Sequence, residues 1–448
     1  MSNKISLKRG LDISISGCAS QKVVDVALGS EFSVLPAHYH GLTPKVVVHE
    51  GDIVKAGDAL FHDKKFESLN VVSPVSGVVK AVVRGERRKV LSINITADVQ
   101  QDYKTFDTAL DVKTLLLQSG LWSLLRQRPY DVIADPCKDI RDVFVSAFDS
   151  APLAPDYNFT LQGQQKELQA GFDALAKLTG KKVHLSVSAR HEQSTFNNMN
   201  NVEYHTFDGP HPAGNVSVQI NHIAPVNKGE TVVVVNIADV ALIGRLMLTG
   251  KVDMHRVIAL TGPEVKNPQY YNYISGAALD NIVKDNVSTD KPLRCIAGNV
   301  LSGQKLDQGE TLSPFAYQIS VIDDGSETHE ILGWAMPRIH KFSTTRLFLA
   351  PLTNFISKTF HYDWDARMLG GRRAIIMSGE YDKMLPMDIY AEYLIKAMIA
   401  GNIDKMEALG AYEVAPEDFA LAEFACTSKM PLQAIVRQAL DNMRKELE

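Results

Sequence analysis

Four groups of side chains in this sequence have types and spacing that could do chemistry. His38-Tyr39-His40, with His49 and His62 following, offers imidazoles near one another in the chain. Two histidines at i and i+2 on a strand point to one face, so a shared metal is geometrically allowed there. No third acidic or cysteine ligand stands out, and no metal site is expected. Lys64-Lys65 could carry a group through an amide bond, although a surface lysine pair is ordinarily a solvated turn. Phe207-Asp208-Gly209-Pro210-His211-Pro212-Ala213-Gly214 is a rigid turn able to present His211. Its two prolines remove backbone N–H groups that a phosphate cradle needs. Arg84-Gly85-Glu86-Arg87-Arg88-Lys89 is a basic tip suited to anionic lipid or an acidic partner, each charge contributing about 1 kcal/mol near a membrane; it is equally readable as a solvated turn.

The elements that must position these groups begin with short apolar runs. Val46–Val48, Ile53–Val54, Val78–Val79 and Val82–Val83 alternate with Gly51, Gly57 and Gly77, which are expected at turns needing positive φ. With Ser73-Pro74-Val75-Ser76-Gly77, they resemble the biotinyl/lipoyl carrier module, a barrel-sandwich hybrid that presents a modified lysine on a hairpin. Here Lys64 and Lys65 stand ten and nine residues before Pro74, too far for that module's spacing, and its Met-Lys-Met tip is absent. The scaffold is expected, and the swinging arm is not.

Length and composition narrow the function. The 448 residues have room for about three domains. A net charge of −5 argues against nucleic acid as a partner, since phosphate recognition needs a basic face. Cys18, Cys137, Cys295 and Cys426 are far apart and form no CxxC pair, which excludes an iron–sulfur cluster or zinc finger built from this chain alone. The most apolar stretch, 231–250, contains Asp239 and Arg245 and divides into a strand, Val232–Val235, and a helix, Val240–Leu248. A membrane span needs about 20 apolar residues, so none is expected.

The pattern changes near Tyr103. Leu117, Leu121, Trp122 and Leu125 suggest a helix over 114–126, and Leu168, Phe172 and Leu175 one over 164–179, stopped by Gly180. With strands at Val143–Val145, Val183–Val187, Tyr204–Phe207 and Val232–Val235, this predicts a Rossmann-like α/β domain over 104–254. It has neither GxGxxG nor a Walker sequence. A β-grasp (SLBB-like) domain is expected over 255–330, with a helix over 276–283. The remaining 331–448 is expected to be mostly helical, with helices at 388–400, 416–425 and 431–447. The sandwich fills 1–103, making a multidomain α/β and α+β chain.

In this order the segments resemble the NqrA family of the Na+-translocating NADH:quinone reductase, across nearly the whole chain. The matching residues are Lys8-Arg9-Gly10-Leu11-Asp12-Ile13, Ser119-Gly120-Leu121-Trp122, Arg128-Pro129-Tyr130, the 207–214 turn, and Gly333-Trp334-Ala335-Met336-Pro337 with Lys341-Phe342-Ser343. The resemblance implies a peripheral subunit on the cytoplasmic face of a bacterial inner membrane. Its partners would be the other five subunits, especially the quinone-associated membrane subunit. FAD, FMN, iron–sulfur and NADH sites are then expected on those subunits, with ubiquinone as the ligand this chain could meet and no firmly bound cofactor of its own. The layout also resembles the C subunit of the Rnf complex and the NADH-binding subunit of complex I. Both carry cluster-ligating cysteines in the helical tail, where this chain has only Cys426.

For a quinone, which needs an apolar slot with one or two hydrogen-bond donors, the candidates are Phe32, His38, Tyr39, His40 and His211. Candidates for docking on membrane or partner are Arg84, Arg87, Arg88, Lys89, Trp334 and Lys341. Two other readings stand beside this one: a flavin- or NADH-binding dehydrogenase module, and a carrier protein using Lys64 or Lys65.

Overall fold

The computed structural model describes residues 3–327, apart from positions 28, 191–194, 289 and 308, together with 342, 344, 362 and 364–448. Trp334 and Lys341, expected at a docking surface, lie outside the described residues.

The sandwich consists of a four-stranded sheet, ordered Glu31–Val34, Val90–Ala97, Gly77–Arg84, Ile53–Val54, and a three-stranded sheet of Pro44–Val46, Ala59–Asp63 and Asn70–Val72. The runs Val78–Val79 and Val82–Val83 belong to one strand, with a bulge between Val79 and Ala81 that breaks the alternation seen in the sequence. Leu60, Phe61, Ile93 and Ile95 fill its core. Gly51 and Gly57 do have positive φ. Gly77 does not; it is needed because a Cβ there would come within 2.1 Å of the Thr96 carbonyl oxygen.

The chain reaches this sandwich only after joining two other sheets. Asn3–Ser6 runs parallel to Val202–Asp208, and Ser20–Asp25 runs parallel to Gln269–Ile274. Neither run pairs with a strand adjacent to it in sequence, and their backbone groups are satisfied at distant sheet edges instead.

The α/β layer is a seven-stranded sheet ordered Asn3–Ser6, Val202–Asp208, Val183–Ser188, Val143–Ser146, Val232–Asn236, Arg126–Arg128, Val132–Ile133. The first five are mutually parallel, Arg126–Arg128 runs antiparallel to Val232–Asn236, and Val132–Ile133 runs antiparallel to Arg126–Arg128. Val232, Val233 and Val235 are buried, as expected of a strand covered on both faces. Helices Gln165–Thr179 and Ile237–Thr249 cross at Gly171 and Gly244. A Cβ on Gly244 would lie 1.7 Å from the Glu167 carbonyl oxygen, so backbone touches backbone there. These two helices share a core with the sandwich. Helix Val216–Ile223 shares one with the C-terminal helices.

The helix expected over 114–126 is broken. Val112–Gln118 is helical, Gly120 takes φ +77°, Leu121–Leu124 forms a 3-10 turn, and Arg126 starts a strand. Leu117, Leu121, Trp122 and Leu125 are all buried nonetheless. The helix expected over 276–283 shrinks to Asp280–Val283, because Ala277 and Ala278 bridge to Phe32 and Thr311 instead.

The β-grasp sheet is ordered Gln304–Leu306, Leu293–Ala297, Gln318–Asp323, His255–Thr261, Gln269–Ile274, Ser20–Asp25. The C-terminal part is helical at Glu380–Met384, Ala391–Ile399, Ile403–Ala408, Ala420–Ala425 and Leu432–Leu447, with a 3-10 turn at Pro416–Phe419. Among the described residues no helix is long and apolar enough to cross a membrane.

Candidate functional site

The parallel sheet reverses its strand order between Val143–Ser146 and Val232–Asn236, which pair in register with Ser146 opposite Asn236. Chain crossovers leave in opposite directions from such a point, opening a crevice beyond the carboxyl ends of the strands, where open α/β sheets bind ligands. A cavity of about 630 Å³ opens there, and both residues line it. All four parts of the chain contribute walls, including the Ala37–His40 loop of the sandwich, Phe315–Gln318 of the β-grasp, and Glu417 and Arg437 of the C-terminal part.

Helix Ile237–Thr249 starts at this crevice. The Asn236 side chain accepts from the Ala238 N–H at 2.9 Å and donates to the Tyr157 hydroxyl at 2.9 Å. Asp239 follows in the first turn, buried, and accepts a hydrogen bond from the Tyr317 hydroxyl. Burial raises the Asp239 carboxyl to about 7, against the pull of Tyr317 and Arg256. A helix start next to a switch point is where a nucleotide phosphate would be held. Here a carboxyl occupies the first turn, and Phe148-Asp149-Ser150 replaces a glycine-rich loop after the central strand. That chemistry disfavours a phosphate and leaves room for an uncharged ligand with carbonyl groups.

His211 enters from the 207–214 turn. Its Nδ1 is 3.0 Å from the Ser150 hydroxyl, which also accepts from the Gly214 N–H at 2.8 Å. Its own backbone N–H donates to Asp12 at 2.8 Å. Burial holds the imidazole down at about 4 although Asp12 pulls it up, so the ring is neutral near pH 7. His38 is likewise held at about 4, by burial and then by Arg256. A neutral imidazole can donate one hydrogen bond and accept another.

His38, His40 and His211 therefore line one cavity although about 170 residues separate them. Phe32 does not; it is a core residue of the sandwich, 1% exposed. Tyr39 packs edge-on against Phe61 and Phe315 and is not among the residues lining the cavity. Pro36–His38 is a 3-10 turn, so the shared strand face that would allow His38 and His40 a common metal is not formed. His40 pairs with Asp441 at 2.8 Å, His62 bonds the Asp63 carbonyl oxygen at 2.8 Å, and His49 is exposed beside Asp52. Three ligands never converge among these four histidines.

Three arginines meet at the cavity's edge. Asp131 takes Arg128 at 2.6 Å and also pairs with Arg126. Arg437 donates to the Tyr130 and Asp131 carbonyl oxygens at 2.5 and 3.1 Å. Burial pushes the Asp131 carboxyl up, but the three guanidiniums outweigh it and hold it below its ordinary value. Sequence reasoning did not single out Asn236, Tyr157, Asp239 or Tyr317. The strand-to-helix junction at Asn236 was a usable signal, but the strand order that makes it a crevice was not.

Lys65 lies over the Phe66 ring, 4.8 Å from its centre, with its ammonium 3.4 Å from Asp135; Lys64 is exposed beside it. The basic tip is formed as a hairpin end between Gly77–Arg84 and Val90–Ala97, and Arg84, Arg87, Arg88 and Lys89 are all exposed.

Comparison with known proteins completes this picture. Three family models match in succession: the NqrA N-terminal barrel-sandwich hybrid domain over residues 5–98, the NqrA second alpha/beta domain over 108–252, and the NQRA C-terminal domain over 257–308. An NAD+-reducing [NiFe]-hydrogenase chain overlaps 49% of this chain, and 48% of its own, with a TM-score of 0.34 at 16% identity, too loose to establish a shared fold. Among curated proteins, the NqrA subunit of the Na(+)-translocating NADH-quinone reductase of Haemophilus influenzae (strain PittGG) is 35% identical over 453 aligned positions, and that of Vibrio anguillarum 36% over 457. Each alignment covers 99% of this chain and all of the relative. Likeness of this extent, spanning sandwich, α/β layer, β-grasp and helical tail, establishes that the chain belongs to the NqrA family, one of the subunits of the Na(+)-translocating NADH-quinone reductase.

Proposed function

We propose that this chain serves as the peripheral, cytoplasmic NqrA subunit of a sodium-pumping NADH:quinone reductase and that its switch-point cavity receives a quinone ring. The carrying observation is the full-length similarity to the Haemophilus and Vibrio proteins. Electron carriers belong to the other subunits in this reading, and this chain contributes binding and positioning. Support for the quinone comes from the cavity's chemistry. Phe315 and Leu124 supply apolar surface, and His38, His211 and Tyr157 supply hydrogen-bonding groups without net charge near pH 7. Those groups would hold the two carbonyls and keep the ring in a fixed orientation.

Cross-linking with a photoreactive quinone in the assembled complex, followed by peptide mapping, tests this. Label is expected on peptides containing His38–His40 or His211. Label confined to other subunits would remove the quinone from this cavity while leaving the chain's membership of the complex intact. The isolated chain separates the other readings: a flavin absorbance from it would favour a dehydrogenase module, and an added lipoyl or biotinyl mass would favour a carrier.

A further inference from the structure

We propose that His184, Glu203 and His205 form a binding site for a divalent transition metal of the zinc class. The three residues come from two adjacent parallel strands, Val183–Ser188 and Val202–Asp208, in which His184 pairs with Glu203 and Ser186 with His205. Paired residues, and residues two apart on a strand, share a face of the sheet, so the register alone puts all three side chains together. His184 Nδ1 lies 3.0 Å from His205 Nε2 and 3.7 Å from a Glu203 carboxylate oxygen. The other Glu203 oxygen is 4.0 Å from His205 Nε2. Ligand bonds of about 2.0–2.1 Å in a tetrahedral zinc site place ligand atoms about 3.3 Å apart. Small movements of the exposed Glu203 side chain close the triangle.

The surroundings supply what ligating imidazoles need. Asp142 lies 4.0 Å from His184 Nε2, too far to be hydrogen-bonded, but its charge favours the proton on Nε2 and the Nδ1 lone pair facing inward. Asp142 is itself held by Arg141 and Lys181 at 2.6 and 3.2 Å, and the His184 ring stacks on Phe144. His205 is 5% exposed, and its Nδ1 has no partner among the described residues, so the tautomer with a lone pair on Nε2 leaves the Nδ1 N–H without an acceptor. Two lone pairs 3.0 Å apart repel unless a proton or a cation lies between them. Burial lowers the proton affinity of both rings. Two imidazoles and one carboxylate favour zinc-like ions over magnesium or calcium, which take oxygen ligands. A water on the exposed side would complete the coordination.

The position also says what such a metal would do. His184 pairs with Phe144, and His205 pairs with Ser186, which pairs in turn with the cavity-lining Ser146, so the site lies two strands across the sheet from the cavity wall. A metal here would tie two neighbouring strands together. This departs from the expectation that the chain has no metal site, and it does not depend on the quinone reading.

The test uses the full chain without an affinity tag, stripped with a chelator and then titrated with zinc by calorimetry and with cobalt(II) by absorbance. One equivalent is expected to bind, with the intense visible bands of a tetrahedral cobalt centre. His184→Gln and Glu203→Gln should each weaken zinc binding by about tenfold or more. Glu203 is exposed, so Glu203→Gln preserves the test if the His184 variant fails to fold. Absence of a stoichiometric event, or binding unchanged by Glu203→Gln, would overturn the site and leave a His184–His205 hydrogen bond in its place.

Discussion

Tyr317 of the β-grasp sheet donates its hydroxyl to the carboxyl of Asp239 in the first turn of the helix at the sheet's switch point. One hydrogen bond thus joins two separately built layers at the wall of the cavity, and it does so with an acid whose burial raises it to about 7. A carboxyl raised in the folded state contributes stability at low pH and loses it as pH rises through the folded value.

Asp239 should therefore contribute up to about 4 kcal/mol of stability that is lost as pH rises from about 4 to about 7. Asp239→Asn, whose amide oxygen can still accept from Tyr317, should flatten the profile. Thermal unfolding of both proteins between pH 5 and 8.5 checks this; parallel profiles would contradict the assignment.

His38 and His211 act with the opposite sign. Their folded values lie near 4, below the ordinary 6.5, so the stability they contribute is present above 6.5 and lost as pH falls toward 4. His211→Gln should reduce the acid-side loss in that window. An unchanged acid limb would mean that His211 is not held neutral by its burial against Ser150.

Asp131 balances Arg128, which is 1% exposed, together with Arg126 and Arg437. Asp131→Asn strands a buried guanidinium and should cost about 3–5 kcal/mol. Chemical denaturation of the variant measures the loss, and a cost below about 1 kcal/mol would show that Glu417, 3.6 Å from Arg128, suffices alone.

The exposed tip of Arg84 and Lys89 has no buried role, so Arg84→Glu with Lys89→Glu should leave stability within about 0.5 kcal/mol. If the tip docks the chain, the double variant should be recovered less with washed membranes at low salt, and the deficit should shrink as salt is added. Equal recovery at every salt concentration would make the tip a solvated turn.

The sequence by itself determined the four kinds of structure in this chain, because each rests on local period. The alternation around Gly51–Val83, the helical spacing of Leu168, Phe172 and Leu175, and the buried run Val232–Val235 all fold as their neighbours dictate. It also identified His38, His40 and His211 as candidate groups, though it added Phe32 and Tyr39, which are buried and do not line the cavity. Tertiary structure alone decided that Asn3–Ser6 and Ser20–Asp25 complete distant sheets, that Ser146 stands beside Asn236, and that Tyr317 reaches Asp239. The same holds for His184 meeting Glu203 and His205. The physical reason is that strand order and register are chosen by hydrogen bonding and burial between segments far apart in sequence, and no local spacing encodes which edges will meet.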